Sequence, residues 1–328
     1  MIWLQFTVST ALLVIAANKL AEYADVISIR TRLGGVFIGT LLMAGATSLP
    51  EFLTIINSLG HEAPNLAAGN IFGSCMFNML LLAILDMSHW RVRVLRRVAL
   101  RHALTAGLAI LLIGLATFFI LADLELRLAW VGLDSILIMV VYFAGMRLLQ
   151  KENPPLPEPE EIPQGEEMMS LRSALVGFSG SALALIFITP VLVGSAVEIA
   201  EVTGLGTGFV GTTLVGMATS FPELVTMLAA ARLGAFDLAV GNLFGSNLFN
   251  VFILGATDLF FLEGRFLGAI DPIFAVAGLL GLLLTTLGLI NNLARSERRI
   301  LFVETDALLL IVMYFAGLYF LYVRGIAG

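Results

Sequence analysis

The chain is short of charge and of the residue types that disulfides and soft-metal centres require. Only 13% of its 328 residues are Asp, Glu, Lys or Arg, roughly half the share of a soluble domain. A single cysteine, Cys75, excludes an internal disulfide framework. The three histidines lack the spacing of a zinc site, and no P-loop or nucleophile–base pair is evident. We therefore do not predict an enzyme.

Long hydrophobic runs are abundant instead: 59% of the residues are hydrophobic and the mean hydropathy is +0.98. Runs of about 20 apolar residues, enough to cross a bilayer, recur along the chain. The first lacks the basic start of a cleavable signal peptide and is interpreted as a span. We predict an all-α integral membrane protein with ten transmembrane helices. Their predicted limits are 3–27, 32–59, 64–86, 97–121, 127–149, 172–199, 206–232, 235–261, 268–291 and 304–324.

One long polar segment, "QKENPPLPEPEEIPQGEEMMS" at 150–170, separates residues 1–149 from residues 171–328. Its prolines and glutamates predict a flexible or polyproline-like linker rather than a packed domain. With the N-terminus outside, most Lys and Arg residues fall on the side of the linker. The exceptions among the 18 are Lys19, Arg127, Arg265 and Arg324. The positive-inside rule then places both termini outside the cell and the linker in the cytoplasm.

The second half repeats the first at an offset of 172 residues. "ATSLPE" (46–51) aligns with "ATSFPE" (218–223), and "AAGNIFGSCMFN" (67–78) aligns with "AVGNLFGSNLFN" (239–250). Each half holds five predicted spans, and an odd number inverts the second half in the membrane. Inverted repeats with interrupted helices are typical of secondary transporters, with the binding site near the midplane.

Proline and glutamate stand together at the centre of the second span. Pro50 has no N–H, so the Ala46 carbonyl loses its helical partner, and such carbonyls are tolerated in a membrane where they line a cavity. Thr47 and Ser48 add hydroxyls, and Glu51 adds a carboxylate. The second half supplies the same group from Ala218, Thr219, Ser220, Pro222 and Glu223. Paired carboxylates among neutral oxygens predict a site for a hard cation such as Ca²⁺.

The next span of each half carries small and polar residues at helical spacing. Gly69 with Gly73, and Gly241 with Gly245, form small-xxx-small faces that allow close helix contact. Four side chains on these helices, one turn apart in each half, either bond neighbouring helices or act as neutral ligands for monovalent ions: Ser74, Asn78, Ser246 and Asn250.

Other polar residues receive simpler interpretations. Asp86 and Asp258 lie near helix ends and Asp134 and Asp306 near helix starts, where we expect carboxylates that cap the helix or reach water. Cys75 is expected to be a small packing residue.

At these motifs the sequence resembles the Na⁺/Ca²⁺ exchanger family of the cation/Ca²⁺ antiporter superfamily. "GATSLPE" with "GNIFGSCMFN", and "MATSFPE" with "GNLFGSNLFN", resemble the two α-repeats of that family. The resemblance extends over the whole chain, and the short linker is similar to that of a prokaryotic member. It implies electrogenic exchange of Na⁺ for Ca²⁺ by alternating access in the cell membrane, with the first and sixth spans sliding across the rest. It implies no cofactor besides the transported ions, no nucleic acid and no obligatory protein partner.

The resemblance also implies roles for individual residues. Glu51 and Glu223 are the implied central Ca²⁺ ligands, joined by Thr47 and Thr219. The implied Na⁺ sites use Ser48, Ser220, Ser74 and Ser246, with backbone near Ala44 and Gly216. Asn78 and Asn250 complete the central site.

The sequence departs from the family at two places. Some members, including K⁺-dependent exchangers, have Asp at the position of Asn250, so Asn in both halves predicts exchange without K⁺. Cys75 stands where the second half has Asn247, which makes that contact asymmetric.

Alternatives remain open at this point. A Ca²⁺/H⁺ antiporter of the same superfamily is the nearest, although Thr-Ser before the glutamate favours Na⁺. Another divalent ion is a second alternative. An ion channel is a third, but one inverted-repeat chain suits alternating access better than an axial pore.

Overall fold

The structure, a computed structural model, describes residues 1–31, 45–89, 94–152, 169–293, 299–300 and 303–326. Within these ranges the regular secondary structure is helical except for two short hairpins. The first half contains α1 (Ile2–Thr31), α2 (Leu49–Gly60), α3 (Pro64–Ser88), α4 (Val94–Ala122) and α5 (Leu133–Glu152). The second half contains α6 (Leu171–Thr203), α7 (Thr207–Val210), α8 (Gly216–Thr219), α9 (Phe221–Arg232), α10 (Phe236–Ala256), α11 (Phe266–Ala269), α12 (Ala275–Leu293) and α13 (Thr305–Leu321).

Short irregular pieces join these helices. The π-helical turn Gly211–Val215 links α7 to α8, and the 3₁₀ turns Thr257–Leu259 and Pro272–Phe274 flank α11. A second π-helical turn, Tyr322–Ile326, follows α13. The two antiparallel hairpins pair β1 (Arg127–Leu128) with β2 (Val131–Gly132) and β3 (Arg299–Ile300) with β4 (Val303–Glu304).

Element boundaries recur at the offset of the sequence repeat. Helices α2 and α9 begin and end 172 residues apart, and both hairpins obey the same offset. So do the first residues of α3 and α10 and of α5 and α13, and the last residues of α1 and α6. The duplication in the sequence is therefore a duplication of structure.

The predicted spans agree with the helices apart from their limits. Nine helical segments of the described residues are long and apolar enough to cross a membrane. The remaining predicted span, 32–59, is described only from residue 45, and its described part contains α2. The fifth span begins at Leu133 rather than at 127 because 127–132 form the first hairpin, and its helix continues to Glu152. The ninth begins at Ala275 rather than 268, since Asp271 caps the turn that starts at Pro272.

Helix α3 occupies the centre of the protein and is buried along nearly its whole length. Gly69 and Gly73 allow it to approach the interrupted segment of the second half. A Cβ at either glycine would overlap the backbone of that segment, at Gly208 and Thr212 respectively. The predicted close contact is therefore present on α3. In the other half, Gly241 faces His102, and nothing among the described residues lies within 4 Å of a Cβ placed on Gly245.

A second polar cluster joins the two halves away from the centre. Nη1 of Arg265 lies 2.7 Å from Oδ2 of Asp134, and both side chains are buried. The carboxylate of Asp258 accepts hydrogen bonds from the backbone N–H groups of Gly132 and Phe266, each at 2.5 Å. Of the two expectations for Asp134 and Asp258, capping a helix or reaching water, the second is wrong, because both side chains are buried. Each accepts from one donor of the opposite half, Arg265 or the Gly132 N–H, and from one backbone N–H of its own half, that of Ser135 or Phe266. Asp86 is also buried.

Candidate cation site

Both proline-containing helices are interrupted where the sequence predicts it. Ser220 separates α8 from α9, and Ser48 separates helical residues 45–47 from α2. The prolines occupy the first turn of the helix that follows, where a missing N–H costs nothing. The new helices start alike: Phe52 N donates to the Ser48 carbonyl at 3.1 Å, and Leu224 N to the Ser220 carbonyl at 3.2 Å.

These interruptions set the position of the two glutamates. Glu51 and Glu223 lie in the first turns of α2 and α9, where the positive end of the helix dipole favours a carboxylate. Neither side chain has any exposed surface. The two carboxylates are close enough to interact electrostatically, although they come from opposite halves of the chain.

Most of the carboxylate oxygens have no hydrogen-bond donor. Oε1 of Glu223 accepts from the Ser246 hydroxyl at 3.3 Å. The other three, namely Oε2 of Glu223 and both oxygens of Glu51, have no partner among the described residues. The hydroxyls of Thr219 and Ser220 lie near Glu51 without completing a hydrogen bond to it. Buried charge without donors is costly, so this arrangement favours a cation between the carboxylates.

Hydroxyl and carbonyl oxygens surround the carboxylates, contributed by both halves. Ser74 Oγ on α3 donates to the Gly216 carbonyl at 3.2 Å and lies 3.4 Å from Thr219 Oγ1. Thr219 Oγ1 in turn donates to Oδ1 of Asn70 at 2.9 Å. Asn70 is fully buried and was not among the predicted site residues. Its recurrence as Asn242 in the aligned "AAGN" and "AVGN" motifs is the signal that could have identified it.

The two predicted asparagines differ in their surroundings. Asn78 donates from Nδ2 to Oδ1 of Asn247 at 2.9 Å, while its own Oδ1 has no described partner. Both polar atoms of Asn250 lack a partner within the described residues. Asn247, which bonds both Asn78 and the backbone of Cys75, is a further residue that the sequence interpretation left outside the site.

All but one of the twelve predicted site residues can be located. Ala44 lies outside the described residues. The others are buried: Thr47, Ser48, Glu51, Ser74, Asn78, Gly216, Thr219, Ser220, Glu223, Ser246 and Asn250. The contacts above connect Ser74, Gly216 and Thr219, and they connect Ser246 with Glu223. No described contact links the side chains of Ser48 or Asn250 to the rest.

The donor set is made of oxygen. In the described part of the chain, no three His, Cys, Asp or Glu side chains come together as a metal-binding group. Two carboxylates with neutral hydroxyl, carbonyl and amide oxygens suit hard cations and do not suit thiophilic transition metals.

Comparisons with known proteins agree with this architecture. A family model described as "Sodium/calcium exchanger protein" matches residues 1–149 and 173–323. "Inner membrane protein YrbG" of Escherichia coli K12 is 27% identical over 271 residues, which are 81% of this chain and 80% of that protein.

Two solved structures share the fold. The crystal structure of the H⁺/Ca²⁺ exchanger CAX has a TM-score of 0.65 at 17% identity, covering 99% of this chain and 89% of that chain. A structure of the sodium-calcium exchanger NCX_Mj has a TM-score of 0.59 at 20% identity, covering 97% and 99%. At such identities the likeness concerns the fold alone. The family match extends across both halves, and the chain therefore belongs to the sodium/calcium exchanger protein family of membrane-embedded cation exchangers.

Proposed function

We propose that this chain is a secondary active antiporter that exchanges Na⁺ for Ca²⁺ across the cell membrane. The observation that carries the proposal is the buried pair Glu51 and Glu223, three of whose four oxygens have no described donor. Two such charges in a low-dielectric interior require a compensating cation. One Ca²⁺ ion balances both charges and accepts an irregular shell of oxygen ligands.

The remaining ligands are those that the resemblance to the exchanger family implies. Thr47 and Thr219 join the glutamates around Ca²⁺, and Asn78 and Asn250 complete that central site. The flanking Na⁺ sites use Ser48, Ser74, Ser220, Ser246 and the backbone near Ala44 and Gly216. The bond from Ser246 to Glu223 and the contact of Ser74 with Thr219 support these flanking positions.

Shared carboxylates provide the coupling. Na⁺ at the flanking sites is stabilised by the same Glu51 and Glu223 carboxylates that bind Ca²⁺. Na⁺ and Ca²⁺ therefore compete, and the protein binds one or the other. Helices α1 and α6 pack along one another and move together across the remaining helices. Exchange of several Na⁺ for one Ca²⁺ moves net charge. Asn rather than Asp at both 78 and 250 favours exchange that needs no K⁺.

The membrane arrangement is part of the proposal. Residues 1–149 and 171–328 are the two inverted halves, and 150–170 is the linker on the cytoplasmic side. Both termini lie outside, as the distribution of Lys and Arg favours. The protein works with its ions and the lipid bilayer, without a cofactor, nucleic acid or obligatory protein partner.

A second candidate is H⁺/Ca²⁺ exchange. Carboxylates without donors can accept protons as readily as they attract Na⁺, and CAX, which has this fold, is described as an H⁺/Ca²⁺ exchanger. The hydroxyl pairs Thr47-Ser48 and Thr219-Ser220 favour Na⁺, because a proton needs only the carboxylate whereas Na⁺ needs further oxygen ligands.

Ca²⁺ uptake into proteoliposomes separates the candidates. Vesicles loaded with Na⁺ are compared with vesicles loaded with K⁺ and with vesicles that carry only a pH gradient. We expect uptake only from the Na⁺-loaded vesicles and without any need for K⁺. Uptake should be faster when an imposed diffusion potential makes the vesicle interior positive, because exchange of several Na⁺ for one Ca²⁺ carries net positive charge outward. Uptake driven by the pH gradient alone would overturn Na⁺ coupling and establish the second candidate.

A further inference from the structure

A hydrogen-bond network fixes the orientation of the Asn247 amide. The Cys75 carbonyl oxygen can only accept, so the Asn247 side-chain atom 3.2 Å from it must be Nδ2. Thr285 Oγ1 donates its own proton to the Gly281 carbonyl at 2.7 Å and can therefore accept from the same Nδ2, 3.4 Å away. Both contacts point the nitrogen of Asn247 away from Asn78.

The orientation passes from Asn247 to Asn78. Oδ1 of Asn247 faces Asn78, so the Asn78 atom 2.9 Å from it must be the donor Nδ2. Oδ1 of Asn78 then lies on the other side of its amide, buried and without a described donor. Asn78 is one helical turn from Ser74, which contacts Thr219 in the cation site.

The other half lacks this network. The positions equivalent to Asn247 and Thr285 are Cys75 and Ile113, and neither side chain can hold an amide in this way. The Cys75 thiol lies 4.0 Å from the Asn247 backbone carbonyl. Neither amide atom of Asn250 has a partner in the described part of the chain. Cys75 lacks the amide that Asn247 supplies, and Ile113 lacks the hydroxyl that Thr285 supplies. Both parts of the network are therefore missing behind Asn250.

We propose that Asn247 and Thr285 are positioning residues that hold the Asn78 carbonyl oxygen toward the cation, whereas Asn250 is unrestrained and turns to suit the ion. The inference rests on the proposed function, since it assigns Asn78 and Asn250 to the Ca²⁺ site. One amide ligand is thus preorganised and the other adjustable, although their sequence motifs are nearly identical. Removing a residue that orients a metal ligand by a hydrogen bond typically lowers metal affinity or activity about 10- to 100-fold.

The test is equilibrium binding of ⁴⁵Ca²⁺ to the purified full-length protein without Na⁺, alongside exchange in proteoliposomes. Asn247→Cys should weaken Ca²⁺ binding about 10- to 100-fold. It should raise KM for Ca²⁺ far more than it lowers kcat. Thr285→Val removes only the hydroxyl that accepts from Asn247, so it should weaken Ca²⁺ binding less than Asn247→Cys does. It replaces Asn247→Cys in the test if that variant fails to fold. Asn57→Cys is the matched control, because the Asn57 side chain donates to the Leu53 carbonyl of its own helix and has no other bond within the described residues.

A gain of function distinguishes positioning from support of the fold. The double variant Cys75→Asn with Ile113→Thr supplies the missing anchor to Asn250 and should tighten Ca²⁺ binding. Unchanged binding in folded Asn247→Cys and Thr285→Val, or weaker binding in the folded double variant, would overturn the inference. Ca²⁺ binding is measured without Na⁺, so it does not depend on Na⁺ coupling. A failure of the proposed function would be seen separately, as wild-type Ca²⁺ uptake whose rate does not depend on internal Na⁺.

Discussion

The guanidinium of Arg265 and the carboxylate of Asp134 form an ion pair at 2.7 Å in which each side chain is only 2% exposed. Arg265 also contacts Asp123, which is 66% exposed. Asp134 lies in the first turn of α5 in the first half, while Arg265 immediately precedes α11 in the second. The pair therefore ties the opposite halves together in the part of the protein that does not include α1 or α6.

Arg265→Met should destabilise the protein by about 3–5 kcal/mol, because it leaves Asp134 as a buried charge without its partner. The measurement is thermal unfolding of the purified protein in detergent. Arg127→Met, at an exposed position, is the control and should leave the melting temperature unchanged. Replacing both partners, with Arg265→Met and Asp134→Asn, should recover part of the loss. A single variant as stable as the control would contradict the role given to this pair.

Glu51→Gln and Glu223→Gln should each reduce Ca²⁺ uptake to the level of vesicles without protein. Either change removes one of the two charges that balance Ca²⁺, while an amide of the same size still fits the fold. Uptake is measured beside Glu62→Gln, an exposed control just beyond α2 that should behave as wild type. Near-normal uptake by either glutamine variant, at equal protein per vesicle, would exclude a shared site.

Gly73→Ala should impair exchange or assembly, because its Cβ would overlap the Thr212 backbone where α3 meets the interrupted helix. Overpacking of this kind costs about 1–3 kcal/mol. Gly180→Ala is the control, since nothing described lies within 4 Å of its added Cβ. Yield of monodisperse protein and initial uptake rates are the measurements. Equal results for the two variants would show that α3 does not need this close approach.

Ser74→Ala should raise the Na⁺ concentration for half-maximal exchange about threefold to tenfold, as expected for losing roughly 1 kcal/mol from a neutral ligand. Ca²⁺ binding without Na⁺ should change less, because the carboxylates dominate the divalent site. Ser195→Ala removes a buried hydroxyl that bonds within its own helix and is the matched control. A larger effect on Ca²⁺ than on Na⁺ would assign Ser74 to the central site instead.

Much of the fold could be predicted because membrane constraints act on composition directly. Apolar length located the spans, and the spacing of 172 residues predicted the second half from the first. The break at Pro50 and Pro222 followed from the missing N–H. Helix starts were less accurate where a hairpin, as at 127–132, has the same apolar composition as the helix that follows it.

The candidate site was predicted only in part, since the sequence reveals which polar residues recur but not which neighbours satisfy them. Asn70 and Asn247 were missed because a buried asparagine that orients a ligand and one that bonds a helix look alike in sequence. The buried state of Asp258 was missed for a related reason: one of its two donors is the backbone N–H of Gly132, 126 residues away.

The recurrence of helix boundaries at a constant offset has a consequence for the conformational cycle. If each half has the same fold in opposite orientation, exchanging the conformations of the halves converts a state open to one side into a state open to the other. In a perfectly symmetric chain these two states would have equal free energy. The positions where the halves differ, such as Cys75 against Asn247 and Ile113 against Thr285, are therefore those that set the resting bias between the two faces of the membrane.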